Sequence, residues 1–309
     1  MTRTVLISHE MLSGLQGPLE AQGYEVVRRW DMSLDQAARV EAIVHVGENH
    51  LTHEFLKFLP SLKLIANVSV GYDGVDVPWC IENGIAVTHA EGLNAEDVAD
   101  QAMGLMIGGW RNLLEGDRTL RAGKWSQESR MRPPRGLRGL KMGIMGLGHI
   151  GQAVAVRAEA FGIEVAWWGP NPKPDAKWPR AESLLKLASD SDILVVACKA
   201  DASNRQAVSA EVINAVGPAG MIVNVARGSI IDEDALIAAL KEGRLGRAGL
   251  DVFAEEPTPA ERWADVPNTF LTPHTAGGTT NSLPLMIGQC FENLRLHFAG
   301  EPLSSPVFS

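Results

Sequence analysis

The stretch MGIMGLGHIGQAVA (residues 142–155) contains three glycines in the spacing G-x-G-x-x-G. The glycines follow an apolar run typical of a strand and open an amphipathic pattern typical of a helix. In this setting the first glycine permits a tight turn, the second lets the backbone approach a pyrophosphate, and the third lets the helix pack on the strand. The spacing alone is weak evidence, but in this context it predicts a dinucleotide site. The predicted loop residues are Gly146, Gly148, His149, Ile150 and Gly151.

Short apolar runs alternate with amphipathic stretches along almost the whole chain, which is typical of βαβ units and a mostly parallel sheet. One series of candidate strands precedes the glycine loop: TVLIS (4–8), AIVHV (42–46), LKLIANV (62–68) and IAVTH (85–89). A second series contains it: KMGIMG (141–146), IEVAWW (163–168), DILVVAC (192–198), GMIVNVA (220–226), RAGLDVF (247–253) and NTFLTPH (268–274). The sequence therefore predicts an α/β protein with two Rossmann-like domains.

Two helical patterns decide how these domains are connected. Apolar residues recur at helical spacing over 97–120, which predicts one long helix leading from the first domain to the second. The last helical pattern, over about 281–298, has no sheet of its own, so we place it on the first domain. Residues 129–139, with paired prolines and basic side chains, predict a surface loop. The predicted domains are a discontinuous, flavodoxin-like substrate domain (1–98 and 278–309) and an inserted NAD(P)-binding Rossmann domain (99–277).

The composition excludes several classes of partner. A net charge of −9 and a pI near 5.4 disfavour nucleic acid and anionic membranes, since both select positively charged surfaces. No stretch approaches the roughly 18 consecutive apolar residues of a membrane span, so we expect a cytoplasmic protein. Cys80, Cys198 and Cys290 are widely separated and lack the spacing of metal ligands, which favours reduced structural thiols and no metal site.

Three segments lie where predicted strands of the second series end, and each contains one ionisable residue suited to catalysis. They are NVARGSIIDEDAL (224–236) with Arg227, GLDVFAEEP (249–257) with Glu256, and LTPHTAGGT (271–279) with His274. An open α/β sheet binds its ligands at the carboxyl ends of its strands. Arginine binds carboxylates bidentately and stays charged, and histidine exchanges protons near neutral pH. We therefore expect a catalytic site at this edge.

Together with NVSVGYDGVDV (67–77), these segments resemble the D-isomer-specific 2-hydroxyacid dehydrogenase family over nearly the whole chain, and most of all its glyoxylate and hydroxypyruvate reductases. The resemblance implies NAD(P)H-dependent reduction of a small 2-keto acid to the D-2-hydroxy acid, with hydride passing from nicotinamide to C2. Arg227 would hold the substrate carboxylate and His274 would donate the proton. Glu256 would orient His274 and favour its charged form. The family pattern places the active carboxylate directly before the proline, which selects Glu256 over Glu255.

The resemblance also implies contacts around the reacting atoms. Substrate binding is expected from Arg227 and His274, and from backbone N–H groups at Val70 and Gly71. The other expected cofactor-binding residues are Cys198, Lys199, Val225, Ala226, Arg227, Asp251, His274 and Gly277, with Asp251 near the nicotinamide. Two positions depart from the family: ACKAD (197–201) replaces a His-x-Pro sequence, and Ala95 replaces a common Thr or Ser.

The choice of cofactor depends on VAWWGPNPK (165–173). A site for NADH usually has Asp or Glu about 20 residues after the glycine loop, where it binds the ribose hydroxyls. Gly169 stands there instead, and the following residues offer donors for a 2'-phosphate: Asn171, Lys173, Lys177 and Arg180. The sequence therefore predicts that NADPH is preferred over NADH. The alternative is that these are solvated charges and that NADH binds through its other contacts.

Other functions stay open at this point. A relative of these enzymes can be a non-catalytic, nucleotide-sensing scaffold, although the presence of all three catalytic side chains disfavours that function. The chain can also be a family dehydrogenase for another acid, such as 3-phosphoglycerate, and the sequence leaves the preferred keto acid undecided. The resemblance implies a homodimer, and the long predicted helix starting at Asp97 offers a contact for it.

Overall fold

The structure is a computed structural model that describes residues 2–126, 133 and 135–307. The chain divides into two compact units. Unit 1 is Met1–Asn94 with Thr280–Ser309, and unit 2 is Ala95–Thr279. We expected these divisions at 98/99 and 277/278, and the assignment of substrate to unit 1 stays a prediction. The surface loop predicted over 129–139 lies partly outside the described residues.

Both units are built on parallel strands. Those of unit 1 are β1 (Thr4–Ile7), β2 (Glu25–Arg28), β3 (Val40–His45), β4 (Leu64–Asn67) and β5 (Ala86–Thr88). Those of unit 2 are β6 (Lys141–Met145), β7 (Glu164–Trp168), β8 (Ile193–Val196), β9 (Met221–Asn224), β10 (Arg247–Leu250) and β11 (Thr269–Leu271). Every predicted strand is present. β2 was not predicted, because its two valines are flanked by charged residues and form too short an apolar run.

The helices alternate with these strands. They are α1 (Gln16–Ala21), α2 (Leu34–Ala37), α3 (His53–Lys57), α4 (Val77–Glu82), α5 (Ala95–Trp110), α6 (Leu113–Arg121), α7 (His149–Ala160), α8 (Leu184–Ser189), α9 (Ala210–Val216), α10 (Glu233–Lys241), α11 (Ala260–Trp263) and α12 (Ser282–Ala299). Short 3-10 helices cover Glu10–Leu15, Arg29–Asp31, Ala202–Asn204 and Gly228–Ile230.

The strands of unit 1 have the order β2-β1-β3-β4-β5, and all neighbours are parallel. This is the flavodoxin-like order. Successive residues of a strand point to opposite faces, so Val5 and Ile7 of β1 pack with Leu294 of α12, whereas Leu6 packs with Cys80 of α4. The C-terminal helix therefore covers one face of the first sheet, as we had placed it.

The strands of unit 2 have the order β11-β10-β9-β8-β6-β7, again all parallel. A single parallel bridge between Trp167 of β7 and Arg180 extends the sheet beyond β7. Counting that bridge as the third strand in chain order gives 3-2-1-4-5-6-7, the Rossmann arrangement with one additional strand. The predicted fold class is confirmed, and the order of strands reverses between β6 and β8, where the glycine loop lies.

The single long helix predicted over 97–120 is wrong. The structure has two helices, α5 and α6, with a break at Arg111–Asn112. Asn112 adopts the left-handed conformation, with φ of 53°, which asparagine tolerates better than most residues and which ends a helix. Apolar residues continue at helical spacing across the break, so periodicity alone does not reveal it.

The apolar face of α5 is buried inside unit 2. Val98, Leu105 and Met106 pack with Met142 and Ile144 of β6. The apolar length of this helix is therefore explained by the core of its own unit, and its contact in a dimer stays a prediction. Among the helices within the described ranges, not one combines the length and the apolar character that crossing a bilayer requires.

Candidate active site

The three predicted catalytic residues follow three neighbouring strands of unit 2. Arg227 comes after β9, Glu256 after β10 and His274 after β11, and these strands lie side by side in the sheet. Because the strands are parallel, their carboxyl ends meet at one edge. The sheet order alone therefore brings the three loops together.

His274 and Glu256 form the tightest contact among these loops. The His274 Nδ1 atom lies 2.5 Å from Glu256 Oε2, and the Phe253 N–H donates to Glu256 Oε1 over 2.8 Å. A carboxylate accepts hydrogen bonds, so Nδ1 carries the proton in this contact. The His274 side chain is 30% exposed, which leaves the ring accessible from outside the unit.

The charge of Glu256 is set by opposing effects. Burial favours the neutral acid, but the hydrogen bonds from His274 and from the Phe253 amide oppose it. The positive charges of His274 and Arg227 act in the same direction, and the net result is a pKa of Glu256 below its ordinary value. Glu256 is therefore a carboxylate at neutral pH, and Arg227 is close enough to contribute to that state.

Asp251 organises the loop that carries His274. Its side chain is buried, and its two oxygens accept hydrogen bonds from the Thr272 hydroxyl (2.5 Å) and from the N–H groups of Thr275 (3.1 Å) and Ala276 (2.9 Å). The His274 N–H donates to the Asp251 carbonyl over 2.8 Å. These bonds hold His274 in the left-handed region, with φ of 50°, a conformation that costs a non-glycine residue roughly 1 kcal/mol or more.

Gly228 brings the Arg227 loop against the Glu256 loop. A Cβ atom at Gly228 would lie 1.9 Å from the carbonyl carbon of Phe253, so only glycine permits this approach of two backbones. Asn224 fixes the turn itself, since its amide nitrogen donates to the Arg227 carbonyl over 3.0 Å. The loop carrying the arginine is thus held on both sides.

Glu233 is a functional-site residue that the sequence analysis missed. It is buried at the start of α10, where Oε2 accepts the Ala254 N–H over 2.8 Å and Oε1 accepts Nε of Arg262 over 2.5 Å. It therefore anchors the loop that carries Glu256. An acidic residue in the first turn of a helix is ordinarily explained by the helix dipole, so the sequence gives no signal of this second role.

The glycine loop has the shape that a dinucleotide requires. Gly146 has φ of 94°, and a Cβ there would lie 2.5 Å from Cα of Cys198, while a Cβ on Gly151 would lie 2.0 Å from the Gly146 carbonyl oxygen. Around Gly148, by contrast, a Cβ would meet no described atom within 4 Å. The open side of Gly148 thus lies at the N-terminus of α7, where N–H groups and the helix dipole favour a pyrophosphate.

Comparison with known proteins identifies the family. The sequence model of the D-isomer specific 2-hydroxyacid dehydrogenase NAD-binding domain matches residues 103–276. This chain belongs to that family. A hydroxyphenylpyruvate reductase from Plectranthus scutellarioides and a glyoxylate/hydroxypyruvate reductase A from Arabidopsis thaliana are each 37% identical to it, over 98% of both chains.

A solved structure of a glyoxylate/hydroxypyruvate reductase is similar to this chain over its whole length. The NADPH-dependent glyoxylate/hydroxypyruvate reductase of Sinorhizobium meliloti, in complex with NADP and malonate, superposes with a TM-score of 0.92 at 34% identity. The superposition covers 100% of this chain and 97% of the other. Unit 2 is accordingly the NAD(P)-binding domain of an NAD(P)-dependent D-2-hydroxyacid dehydrogenase.

The end of β7 is where the sequence analysis of this dehydrogenase predicts the adenosine ribose to bind. Gly169 follows the strand, and the Arg180 guanidinium donates to its carbonyl oxygen through Nη2 (2.7 Å) and Nε (3.3 Å). Lys177 pairs with Glu159 over 2.6 Å. Asn171 and Lys173 are exposed. Of the four basic or amide side chains considered from the sequence, Arg180 is the one bound to Gly169.

The remaining predicted cofactor residues of the dehydrogenase lie on loops at this same edge of the sheet. Cys198 and Lys199 follow β8, Val225 and Ala226 follow β9, and Gly277 belongs to the loop after β11. Burial raises the pKa of Cys198 to about 11, so this thiol stays protonated at neutral pH, and its Sγ lies 3.9 Å from the Asn204 amide nitrogen. Contact of these residues with a cofactor stays a prediction.

In unit 1 of the dehydrogenase, Val70 and Gly71 form a turn after β4. Within the described part of the chain, no group accepts the N–H of Val70 or of Gly71, whereas both of their carbonyl oxygens have donors. Backbone N–H groups exposed in this way can bind an anion.

Proposed function

We propose that this protein reduces a small 2-keto acid to the corresponding D-2-hydroxy acid with NADPH as the hydride donor. The observation that supports this most is the 2.5 Å pair of His274 Nδ1 and Glu256 Oε2 beside Arg227. It combines a proton donor, a group that orients the donor, and a cation for a carboxylate. Glyoxylate and hydroxypyruvate are the expected substrates, by analogy with the named relatives.

The chain's own residues account for the proton and for the orientation of the substrate. A bound nicotinamide supplies the hydride to C2 of the keto acid. His274 donates a proton from Nε2 to the developing alkoxide, because Nδ1 is already committed to Glu256. Arg227 binds the substrate carboxylate and polarises the neighbouring carbonyl. The N–H groups of Val70 and Gly71 are assigned to the same carboxylate, and Asp251 holds the His274 loop and is assigned to the nicotinamide end.

The preference for NADPH rests on what surrounds Gly169. Gly169 itself has no carboxylate to bind the ribose hydroxyls or to repel a 2'-phosphate. Arg180, held at the Gly169 carbonyl, has a planar guanidinium suited to a phosphate. Asn171 and Lys173 remain further candidate ligands for that phosphate. The S. meliloti relative, which is described as NADPH-dependent and was solved with NADP, supports this preference by analogy.

The function is tested by following the absorbance of NADPH during reaction with a panel of keto acids. The panel contains glyoxylate, hydroxypyruvate, hydroxyphenylpyruvate and 3-phosphohydroxypyruvate, and chiral chromatography identifies the product. We expect turnover with the smallest acids and a product of D configuration. Binding of NADPH without turnover of any member would contradict the proposal and favour a nucleotide-sensing scaffold. Fast turnover of only 3-phosphohydroxypyruvate would show that the substrate is a phosphorylated keto acid.

The homodimer is part of the same proposal and rests on the resemblance to the family. Light scattering behind a size-exclusion column measures the mass of the particle directly. A particle of one chain at micromolar concentration would contradict it.

A further inference from the structure

The turn of Ser69, Val70 and Gly71 is held by its carbonyl oxygens. The Ser69 oxygen accepts the Ala90 N–H over 2.9 Å, the Val70 oxygen lies 3.1 Å from Nδ1 of His89, and the Gly71 oxygen accepts the Ser69 hydroxyl over 2.9 Å. With three successive oxygens bound inside unit 1, the peptide planes are fixed. The N–H groups of Val70 and Gly71 are therefore held in one orientation.

Among the described residues, His89 is the only side chain from outside the turn that hydrogen-bonds one of these three oxygens. A carbonyl oxygen can only accept, so Nδ1 of His89 must carry a proton. The ring packs edge-on against Tyr72, with centroids 5.1 Å apart, and Nε2 lies 3.9 Å from the carboxylate of Glu91. The side chain is 13% exposed. Its orientation is therefore set by the bond to the Val70 oxygen and by the packing against Tyr72.

The C-terminal segment holds the backbone of His89. The His89 N–H donates to the Ser305 carbonyl over 3.2 Å, and the Ser305 hydroxyl donates to the His89 carbonyl over 2.6 Å. Val307 continues the pairing with a bond to Val87 over 2.9 Å. Asn293 of α12 in turn donates to the Ser305 hydroxyl over 2.9 Å. A continuous chain of hydrogen bonds thus runs from α12 through Ser305 and His89 to the Val70 carbonyl.

We propose that His89 is a positioning residue for the substrate carboxylate, acting through Val70, and that Ser305 holds it in place. The inference rests on the proposed function, in which the N–H groups of Val70 and Gly71 bind that carboxylate. Without the bond from Nδ1, the Val70–Gly71 peptide plane can rotate and the Gly71 N–H no longer points in a fixed direction. His89 then contributes to binding the keto acid without touching it.

Two replacements of His89 separate its hydrogen bond from its packing. His89→Phe keeps an aromatic ring against Tyr72 but removes the donor, and His89→Asn loses the ring but keeps an N–H near the place of Nδ1. Loss of one hydrogen bond in a turn corresponds to roughly a five- to tenfold effect on binding. We expect His89→Phe to raise KM for glyoxylate and Ki for oxamate, an unreactive keto-acid analogue, by about that factor.

The effect should fall on KM, because the carboxylate is bound alike in the ground state and in the transition state. We expect kcat of His89→Phe to stay within about twofold of the parent and KM for NADPH to be unchanged. His89→Asn should recover most of the lost affinity. An unchanged KM and Ki in His89→Phe would overturn the inference, as would equal defects in His89→Phe and His89→Asn.

The serines of the C-terminal segment supply a matched pair of variants. Both serines hydrogen-bond Asn293, and Ser304 also contacts Gln289, but of the two only Ser305 donates to the His89 carbonyl. Ser305→Ala should raise KM for glyoxylate about two- to threefold, since one hydroxyl contact to the backbone is lost, and Ser304→Ala should leave it unchanged. Equal values for the two variants would contradict the role of Ser305.

Oxamate binding measured by calorimetry in the presence of NADP keeps the inference separate from the proposed function. If the parent protein reduced no keto acid, the proposed function would fail, yet weaker oxamate binding by His89→Phe would still support the positioning role. If the parent turned over glyoxylate normally and His89→Phe bound oxamate as tightly as the parent, only the positioning role would fail. Circular dichroism of each variant establishes that unit 1 is folded.

Discussion

Glu256 and His274 act as one unit, because the state of each depends on the other. A protonated His274 lowers the pKa of Glu256, so by reciprocity the ionised Glu256 favours a proton on His274. Loss of either side chain should therefore change the protonation of the other. The positive charge of Arg227 also lowers the pKa of Glu256, and binding of the substrate carboxylate by Arg227 stays a prediction.

Removal of His274 or Arg227 should abolish most of the catalysis. We expect His274→Ala and Arg227→Ala each to lower kcat/KM for glyoxylate by at least about a hundredfold, because general acid catalysis and carboxylate binding are each worth that much. His274→Ala should act mainly on kcat, and Arg227→Ala should also raise KM. Arg244→Ala, at an exposed pair with Glu242, serves as control. Near-parental activity in either variant would remove that residue from the mechanism.

The pH dependence of reduction should report the pair directly. Reduction is expected to decline as pH rises, because the proton on His274 is lost. In Glu256→Gln a neutral amide replaces the carboxylate, so the charged ring loses its partner and the midpoint of the decline moves to lower pH. Profiles of kcat/KM against pH for the parent and the variant make the comparison. Identical midpoints would show that Glu256 does not support the proton on His274.

The sequence predicts candidate catalytic residues but not the contacts that hold them in place. Arg227, Glu256 and His274 each follow a recognisable strand, so motif and topology together lead to them. Glu233 and His89 give no such signal, because their partners are backbone groups more than ten positions away in the chain. Backbone hydrogen bonds of this kind depend on how loops fold, which residue type and spacing do not specify.

At the scale of elements, short parallel strands with closely packed loops form the site. Their apolar runs are strong signals, which is why the strands were predictable, whereas the break between α5 and α6 depends on one left-handed asparagine and was not. Gly228 shows the same limit in a loop. The glycine is visible in the sequence. Its close approach to the Phe253 backbone is not, because that approach depends on β9 and β10 being neighbours in the sheet.

The β-bridge of Arg180 at the edge of the sheet is expected to influence which cofactor binds. The bridge to Trp167 fixes the backbone of Arg180, and its guanidinium then reaches Gly169. We expect Arg180→Ala to raise KM for NADPH about tenfold or more, as for loss of a charged hydrogen bond, with little effect on NADH. The matched control is Lys177→Ala, because the Lys177 amine pairs with Glu159. Lys173→Ala tests whether Lys173 binds the 2'-phosphate instead. A loss confined to Lys173→Ala would reassign the phosphate contact.

The reverse change should favour NADH. A Cβ at Gly169 would lie 3.4 Å from the Trp167 ring, an ordinary contact, and the backbone there is not left-handed. Gly169→Asp is therefore tolerated sterically and would place a carboxylate beside the ribose. We expect the ratio of kcat/KM for NADPH to that for NADH to fall. If the parent enzyme already prefers NADH, the proposed preference for NADPH is wrong.

At the scale of the whole molecule, the buried His45 should make stability depend on pH. It lies in the core of unit 1, where it hydrogen-bonds the Asn49 carbonyl and the Ser8 hydroxyl. Burial lowers the pKa of His45 from 6.5 to about 3, against the opposing effect of the Asn49 hydrogen bond. Folded His45 thus stays neutral in a range where the unfolded chain binds a proton.

Stability should therefore fall as pH drops below 6.5 toward 3, by up to roughly 1.4 kcal/mol per pH unit from this group. Above pH 6.5 both states are neutral at this position and the effect vanishes. His45→Gln, which cannot take up the proton, should show a smaller loss of Tm between pH 7 and pH 5 than the parent, although its Tm at pH 7 is lower. Equal losses in the two proteins would mean that His45 is protonated without unfolding.

The interruption of unit 1 by unit 2 also sets an order of events on the ribosome. The five strands of unit 1 are synthesised first, but α12, which covers one face of their sheet, emerges only after the whole of unit 2. Unit 2 is continuous and can complete its core as soon as it leaves the exit tunnel, since domains generally fold as units during synthesis. The part of the sheet that α12 covers therefore stays exposed in the nascent chain until unit 2 has been synthesised.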